Sequence, residues 1–393
     1  MKIKLSLLAL ISFSFFVQAQ DHQLSNDAEI SVLTVGPGLS LNDAFGHNAF
    51  RIKDNNLGYD LVYNYGVYDF NAPNFYTKFA QGKLNYKMGL NYFDDFFAGY
   101  SGQNRTIKEQ VLNLSQPEKQ QLFDYLLENH KPENRYYLYD FFFDNCATKI
   151  RDVIEDVLIN DVEFRAPNDF QQKSFRALIH DHVDRNSWGA FGIDLALGSV
   201  IDKEATAYEH MYLPEYIYLF FDEAKRTNSN PLVKSSEVLY HKKDIGTSSN
   251  WFLSPLFIIG LMSILLVLIT YLDFKKKRRS KWVDVLVFTF TGIVGVVILL
   301  LWFATDHTAT AFNYNLLWAF PLNLIVFGQL FKNKLRLWLG KYLKLLVILL
   351  CLLTLHWLIG VQVYAIGIIP FLIALAIRYV FLISHINSKA RQN

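Results

Sequence analysis

From Trp251 onward the sequence becomes a series of long apolar runs separated by short polar segments. A chain with that ending has few ways to fold in water. We read five runs, at residues 251–272, 282–304, 312–331, 344–360 and 361–383. Each is close to the ~20 residues that carry a helix across ~30 Å of hydrocarbon. Basic residues set the direction of threading. Lys275, Lys276, Lys277, Arg278, Arg279 and Lys281 follow the first run. Lys332, Lys334, Arg336, Lys341 and Lys344 follow the third, and Lys389 and Arg391 follow the fifth. The intervening turns carry none. Residues 251–385 therefore read as an all-α transmembrane domain of five helices. A short cytoplasmic tail follows at 386–393, and everything upstream lies outside the cytoplasm.

The first residues agree with that orientation. Lys2 and Lys4 precede an apolar run from Leu5 to Val17, and Val17-Gln18-Ala19 is a small-residue cleavage pattern. Residues 1–19 are expected to be a signal peptide. Residues 20–230, long enough to bury a full core, are expected to form one exported α+β domain. Residues 231–250, polar and rich in Lys and Ser, read as a linker. The chain is expected in the inner (cytoplasmic) membrane, multi-pass, with its N-terminal domain in the periplasm. Net charge is +2 and gives no reason to propose nucleic acid. No Gly-rich phosphate loop and no CxxC or HExxH pattern is present, so no metal and no cofactor are expected.

Within the exported part, "AEISVLTVG" reads as a strand, and "HNAFRIKD" and "YDLVYNYGVYDF" as a hairpin. "SQPEKQQLFDYLLENH" is a helix with Ser115 as N-cap, and residues 165–225 look mainly helical. "CATKIRDVIEDVL" is a helix with Ile150, Val153 and Ile154 on one face, capped by Asn145 or Asp144. That assignment puts Cys146 at a helix start. It is one of only two cysteines, and Cys351 lies inside the fourth apolar run, out of disulfide reach. In an exported domain a leftover thiol is a partner for an intermolecular disulfide, a reactive group or a small buried hydrophobe. Unpaired N–H groups and the helix dipole lower a thiol's pKa at that position, and the thiolate is the nucleophile.

A nucleophile of this kind needs a base. Of the exported histidines, His47 stands on a predicted strand, after Phe45-Gly46, and can be aimed rigidly; the others lie at helix ends, segment ends or in "LIHDHVD". An orienting third group belongs on the neighbouring strand. Asp60 and Asn64 share a face there by parity, and Asn64 is the one expected. Arg51, further along the His47 strand, is a candidate for a headgroup phosphate. Asn145 is a candidate for substrate binding beside the thiol. Asp306 and His307, with Asn313 and Asn315, form a polar cluster at the exported rim of the membrane part, where a lipid headgroup would sit.

A histidine early on a strand followed about a hundred residues later by a helix-starting "NC" resembles the circularly permuted NlpC-like thiol hydrolases, a papain-like fold with the order of nucleophile and base reversed. "FGHNAFRI", "YNYGVYDF", "FFFDNCATKIRD" and "GIDLALGSVID…EHMYLPEY", followed by five apolar runs, resemble more closely the Lnb-type lipoprotein N-acyltransferases of the Bacteroidota. The resemblance implies Cys146 as nucleophile and His47 as base. It implies a phospholipid acyl donor, and as acceptor the N-terminal amine of a diacylated lipoprotein in the bilayer. Two other readings use the same fold. One is a membrane-anchored cysteine peptidase or amidase acting on cell-wall peptide. The other is a non-catalytic membrane sensor or assembly factor.

Overall fold

The computed structural model describes residues 23–68, 73–244, 246 and 250–391. The expected signal peptide lies outside them. The exported part is built on one antiparallel sheet whose strands are β1 (Glu29–Val35), β2 (His47–Asp54), β3 (Tyr59–Val67), β4 (Asn85–Tyr92), β5 (Ile107–Leu112), β6 (Tyr136–Leu138) and, at its far edge, Val233–Tyr240. Their order is β6-β4-β3-β2-β1-β5 and then that edge strand. Parity divides the sheet into two faces. Ile30, Val32, Phe50, Ile52, Tyr63 and Tyr65 bury one face against the helices Gln116–His130 (α3), Cys146–Leu158 (α4) and Pro214–Glu223. Leu33, Val35, Ala49 and Val62 bury the other under Phe96 of the helix Phe93–Gly102 (α2), which follows a shorter helix, Phe75–Ala80 (α1).

The expected linker is corrected in part. Val233–Tyr240 is a full strand paired along β5, with Glu109 opposite Glu237 and Val111 opposite Ser235. It reads as polar because an outermost strand exposes most of its residues, and Lys234 and Glu237 are the charges that guard such an edge. The mainly helical stretch is present as Phe175–His182, Trp188–Ala196, Ala207–His210 and Pro214–Glu223. Buried Arg176 joins three of its segments, bonding Asp194, Asp202 and the carbonyls of Leu197 and Gly198.

The C-terminal part has four helices long and apolar enough to cross a membrane: Pro255–Lys275, Lys281–Phe303, Leu337–Leu358 and Ile366–Ala390. The third expected helix is corrected. Residues 312–331 fold as two short 3₁₀ turns, Tyr314–Leu317 and Pro321–Leu324, and a single helical turn, Phe327–Leu330. Pro321 and the asparagines at 313, 315 and 323 are the reason, since each offers the backbone an alternative to a continuous helix. The segment is still contacted at both ends of the bundle. Ser199 donates to the Phe312 carbonyl at its start, and Arg279, in the basic turn, donates to the carbonyls of Leu330 and Lys332 at its end. Non-helical backbone is tolerated at membrane depth only where protein covers it. Here Trp318, Ala319, Asn323 and Leu330 are buried, and Asn323 bonds Thr291 and Tyr342. Gly295 admits the segment, because a Cβ there would stand 2.1 Å from the Ala319 carbonyl oxygen. The last helix, Ile369–Arg391, runs through most of the expected tail.

At one end of the bundle Arg378, fully buried, bonds Asp273 at 2.9 Å and Asp284 at 2.7 Å. At the other the exported part is seated on the bundle's rim. Asn313 Nδ2 donates to the Leu195 and Ala196 carbonyls and Asn315 Nδ2 to that of Asp194. Trp188 Nε1 donates to the Leu253 carbonyl. Gly295→Val is expected to push the broken segment out of place and lower the unfolding temperature in detergent by several degrees, the cost of an overpacked core being about 1–3 kcal/mol. Gly99→Ala, where a Cβ meets nothing within 4 Å, is the control expected to leave it unchanged.

Candidate active site

Cys146 is the first residue of α4, and the residue before it builds that helix start. Asn145 Oδ1 accepts the N–H groups of Ala147 at 2.7 Å and Thr148 at 3.0 Å. Thr148 Oγ1 in return accepts the Asn145 N–H at 2.8 Å. Asn145 Nδ2 donates to the carbonyls of Phe141 and Tyr212. Its amide is therefore used in full by the cap, the loop before it and the distant Tyr212, which corrects its expected role in substrate binding. The Cys146 N–H is left directed at its own sulfur.

His47 opens β2 and lies on the sheet face opposite to α4. The two meet at the end of β3, where the pairing with β4 shifts register between Asn64 and Val67. Gly66, at φ +86°, occupies that irregularity, and a Cβ placed on it would stand 3.6 Å from Cys146 Cβ. The missing side chain and the bulge let the helix start reach the far face. There the His47 imidazole and the Cys146 thiol come close enough for each to shift the other's pKa. His47 Nε2 donates to Asn64 Oδ1, which leaves Nδ1 for the thiol. The Tyr100 ring stacks on the imidazole at 5.9 Å.

The electrostatics follow from this geometry. Burial by itself pushes the Cys146 thiol up. The His47 charge and hydrogen bond, with the N–H groups of Asn48 and Cys146, outweigh it and hold the thiol below its usual value. Burial likewise pulls His47 down, but Cys146 and Asn64 outweigh that and raise it. Both shifts favour a thiolate–imidazolium pair. Tyr137 lies alongside. Its hydroxyl is buried with no partner among the described residues and stands 4.0 Å from the same point on Gly66 that neighbours Cys146. Burial and then the thiolate raise its pKa, so it stays a proton donor.

The structure thus brings together Cys146, His47 and Asn64, keeps Asn145 beside them as the helix cap, and keeps Arg51, Asp306 and His307 away from them. Arg51 is corrected. It is buried, its Nε and NH2 bond Asp60, its NH1 bonds Glu109 at 3.0 Å, and it lies over the Phe93 ring at 3.3 Å. Asp60 is consequently Arg51's counterion, not the third member of the triad. Asp306 and His307 dock the α1 turn onto the membrane part: the Asp306 N–H donates to the Gln81 carbonyl and His307 Nε2 to that of Phe79. No contact joins either to Cys146 or His47 among the described residues.

A nucleophile, a base and an orienting amide, seated on a bundle of membrane-length helices, are the parts of a thiol acyltransferase or hydrolase. The family model of the Lnb N-terminal periplasmic domain matches residues 16–180, and that of the Lnb transmembrane domain matches residues 247–390. The chain belongs to the Lnb family. It is a lipoprotein N-acyltransferase-like membrane protein, with a periplasmic N-terminal domain and a transmembrane C-terminal domain, as in other Lnb proteins. No curated protein and no solved structure matches it. In this Lnb protein Tyr100, Tyr137 and the Asn48 N–H carried no sequence signal, since the chain has 22 tyrosines and only the bulge singles one out.

Iodoacetamide alkylation of Cys146 is expected to titrate below 9.0, the usual value for a thiol. In His47→Ala burial remains without the opposing cation, so the midpoint should move above the wild-type value. Asn145→Ala is expected to cost ~1–2 kcal/mol of stability through the lost cap, measured by thermal unfolding.

Proposed function

We propose that this protein moves an acyl chain from a membrane phospholipid, through a thioester on Cys146, to the N-terminal amine of a lipoprotein. The observation that carries the reading is the Cys146–His47–Asn64 constellation on a domain fastened to the rim of a membrane bundle, where the imidazole lowers the thiol's pKa. In the first half-reaction the Sγ thiolate attacks the ester carbonyl carbon. The carbonyl–glycerol bond then breaks, and the glycerol oxygen takes the proton held on His47. In the second half-reaction the amine nitrogen attacks the thioester carbon. The sulfur leaves as thiolate, and His47 takes the proton that the amine loses. No ATP enters, because an ester is exchanged for a thioester and a thioester for a more stable amide.

Both half-reactions pass through an oxyanion. The Tyr137 hydroxyl and the Cys146 N–H are the donors we assign to it, since the hydroxyl borders the same point on Gly66 as Cys146 and has no partner among the described residues. Asn64 keeps Nε2 protonated, so that Nδ1 faces the sulfur. Tethering to the bilayer confines enzyme, donor and acceptor to one surface and raises their effective concentration. We place the protein in the inner membrane with residues 312–331 as a fifth, non-helical crossing. That count puts the active site and the basic turn after Lys275 on opposite sides.

Expression in a host lacking its own N-acyltransferase is expected to add the mass of one acyl group to a lipoprotein N-terminal peptide. Cys146→Ala and His47→Ala should abolish the gain. An unchanged peptide would refute the acyl transfer, and a shortened one would favour the peptidase. Tyr137→Phe is expected to reduce kcat by about 10²–10³-fold, the usual loss of one oxyanion donor. It should leave the pH profile of Cys146 alkylation unchanged, because alkylation forms no oxyanion.

A further inference from the structure

Four arginines are buried in the exported part, and three are fully paired. Arg51 has Asp60 and Glu109, Arg176 has Asp194 and Asp202, and Arg151 has Asp152 and the Tyr208 carbonyl. Arg105 differs. It is 3% exposed, and its Nε donates to the Gly36 carbonyl at 2.9 Å and its NH1 to Gln103 Oε1 at 3.3 Å. Its NH2 has no partner among the described residues. The one carboxylate near it, that of Asp43, stands 3.6 Å from NH1, is partly exposed, and is already bonded by Ser40 Oγ. A buried guanidinium lacking a close counterion is costly. It is a standing preference for an anion with two oxygens to offer.

Its place indicates which anion. The guanidinium lies 4.9 Å from the centroid of the Tyr100 ring, whose own stacking partner is His47. Burial depresses Arg105, and the Cys146 thiolate is among the charges that support it. Arg105 also stands where the chain leaves the exported part for the membrane. Asn104 accepts the Lys243 N–H at 2.7 Å and Thr106 accepts the Lys242 N–H at 3.1 Å. Both lysines are exposed, and the first membrane-length helix begins at Pro255. Lysines so close to a bilayer are drawn to lipid phosphates.

We propose that Arg105, with Lys242 and Lys243 at its entrance, binds the phosphodiester of the acyl donor and so selects a phospholipid over other esters. This rests on the function proposed above. Arg105 takes the role expected of Arg51, because Arg51 is neutralised by its own carboxylates and Arg105 is not. The phosphate displaces the weak Asp43 contact and occupies NH2, which holds the ester within reach of Cys146.

The test uses the full-length protein in mixed micelles with two donors. One is a phosphatidylglycerol, and the other is a diacylglycerol of the same chains, which has the esters without the phosphate. Arg105→Lys and Arg105→Gln are expected to lower kcat/KM for the phospholipid about 10–100-fold and for the diacylglycerol less than 3-fold. In Arg105→Lys, which keeps the positive charge, the alkylation profile of Cys146 should not change. Lys242→Gln combined with Lys243→Gln, both exposed and remote from the core, is expected to raise KM for the phospholipid alone. Equal losses on both donors, or none on either, would overturn the assignment. Inhibition by inorganic phosphate at the phospholipid's own concentration would show a free-anion site instead, and would overturn it too. A wild-type protein that transfers from diacylglycerol but never from phospholipid would refute the donor in the proposed function, and this assignment with it.

Discussion

A sulfur anchored on one face of a sheet can meet an imidazole anchored on the other only where the strand between them gives way. In this protein that place is Gly66. The bulge beside it ends regular pairing, and its bare Cα leaves room for the start of α4. The rest of the site depends on that gap. Asn145 fixes where the helix begins, so the gap is filled by Cys146 and by no other side chain. Asn64 lies just before the bulge, and so reaches the far side of the imidazole. Tyr137 borders the same space, and its buried hydroxyl has no partner among the described residues.

The second organising constraint is the seat on the membrane part. Polar groups at the rim do not float free for ligands. Asn313 and Asn315 take up the carbonyls at the end of the helix Trp188–Ala196, and Thr308 donates to Asp140 of the loop that leads into Cys146. That last bond links the loop before Cys146 directly to the rim. The irregular segment at 312–331 serves the same purpose. A helix at 312–331 would turn its asparagines around the compass, whereas the broken segment presents Asn313 and Asn315 upward and Asn323 inward to Thr291 and Tyr342. The buried Arg378–Asp273–Asp284 cluster locks the opposite end, where unpaired charge would be prohibitive.

Pairing distinguishes one buried arginine from another. Arg51 and Arg105 are both buried near the site, and a sequence cannot rank them. Arg51 is matched twice and belongs to the scaffold, whereas Arg105 retains an unanswered nitrogen. The membrane-length bundle, the lone thiol at a helix start, the histidine on a strand and the strand face shared by Asp60 and Asn64 were legible because each depends on local periodicity or capping, which neighbouring residues decide.

Other features were settled only when distant segments met. The edge strand Val233–Tyr240 takes its structure from β5, more than a hundred residues earlier, and its polar face gives no periodic sign. The third apolar run had a helix's composition, but its asparagines found partners on other segments and its backbone followed them. Asn145 and Arg51 carried the chemistry of binding residues, and tertiary contacts consumed that chemistry. The amino-acid order alone determined which atoms could react and which stretches had to leave water, since those follow from side-chain chemistry and local hydrogen-bonding geometry. Which polar groups remain free to act was decided by the folded structure alone, because a group is free only when no distant residue has come to satisfy it.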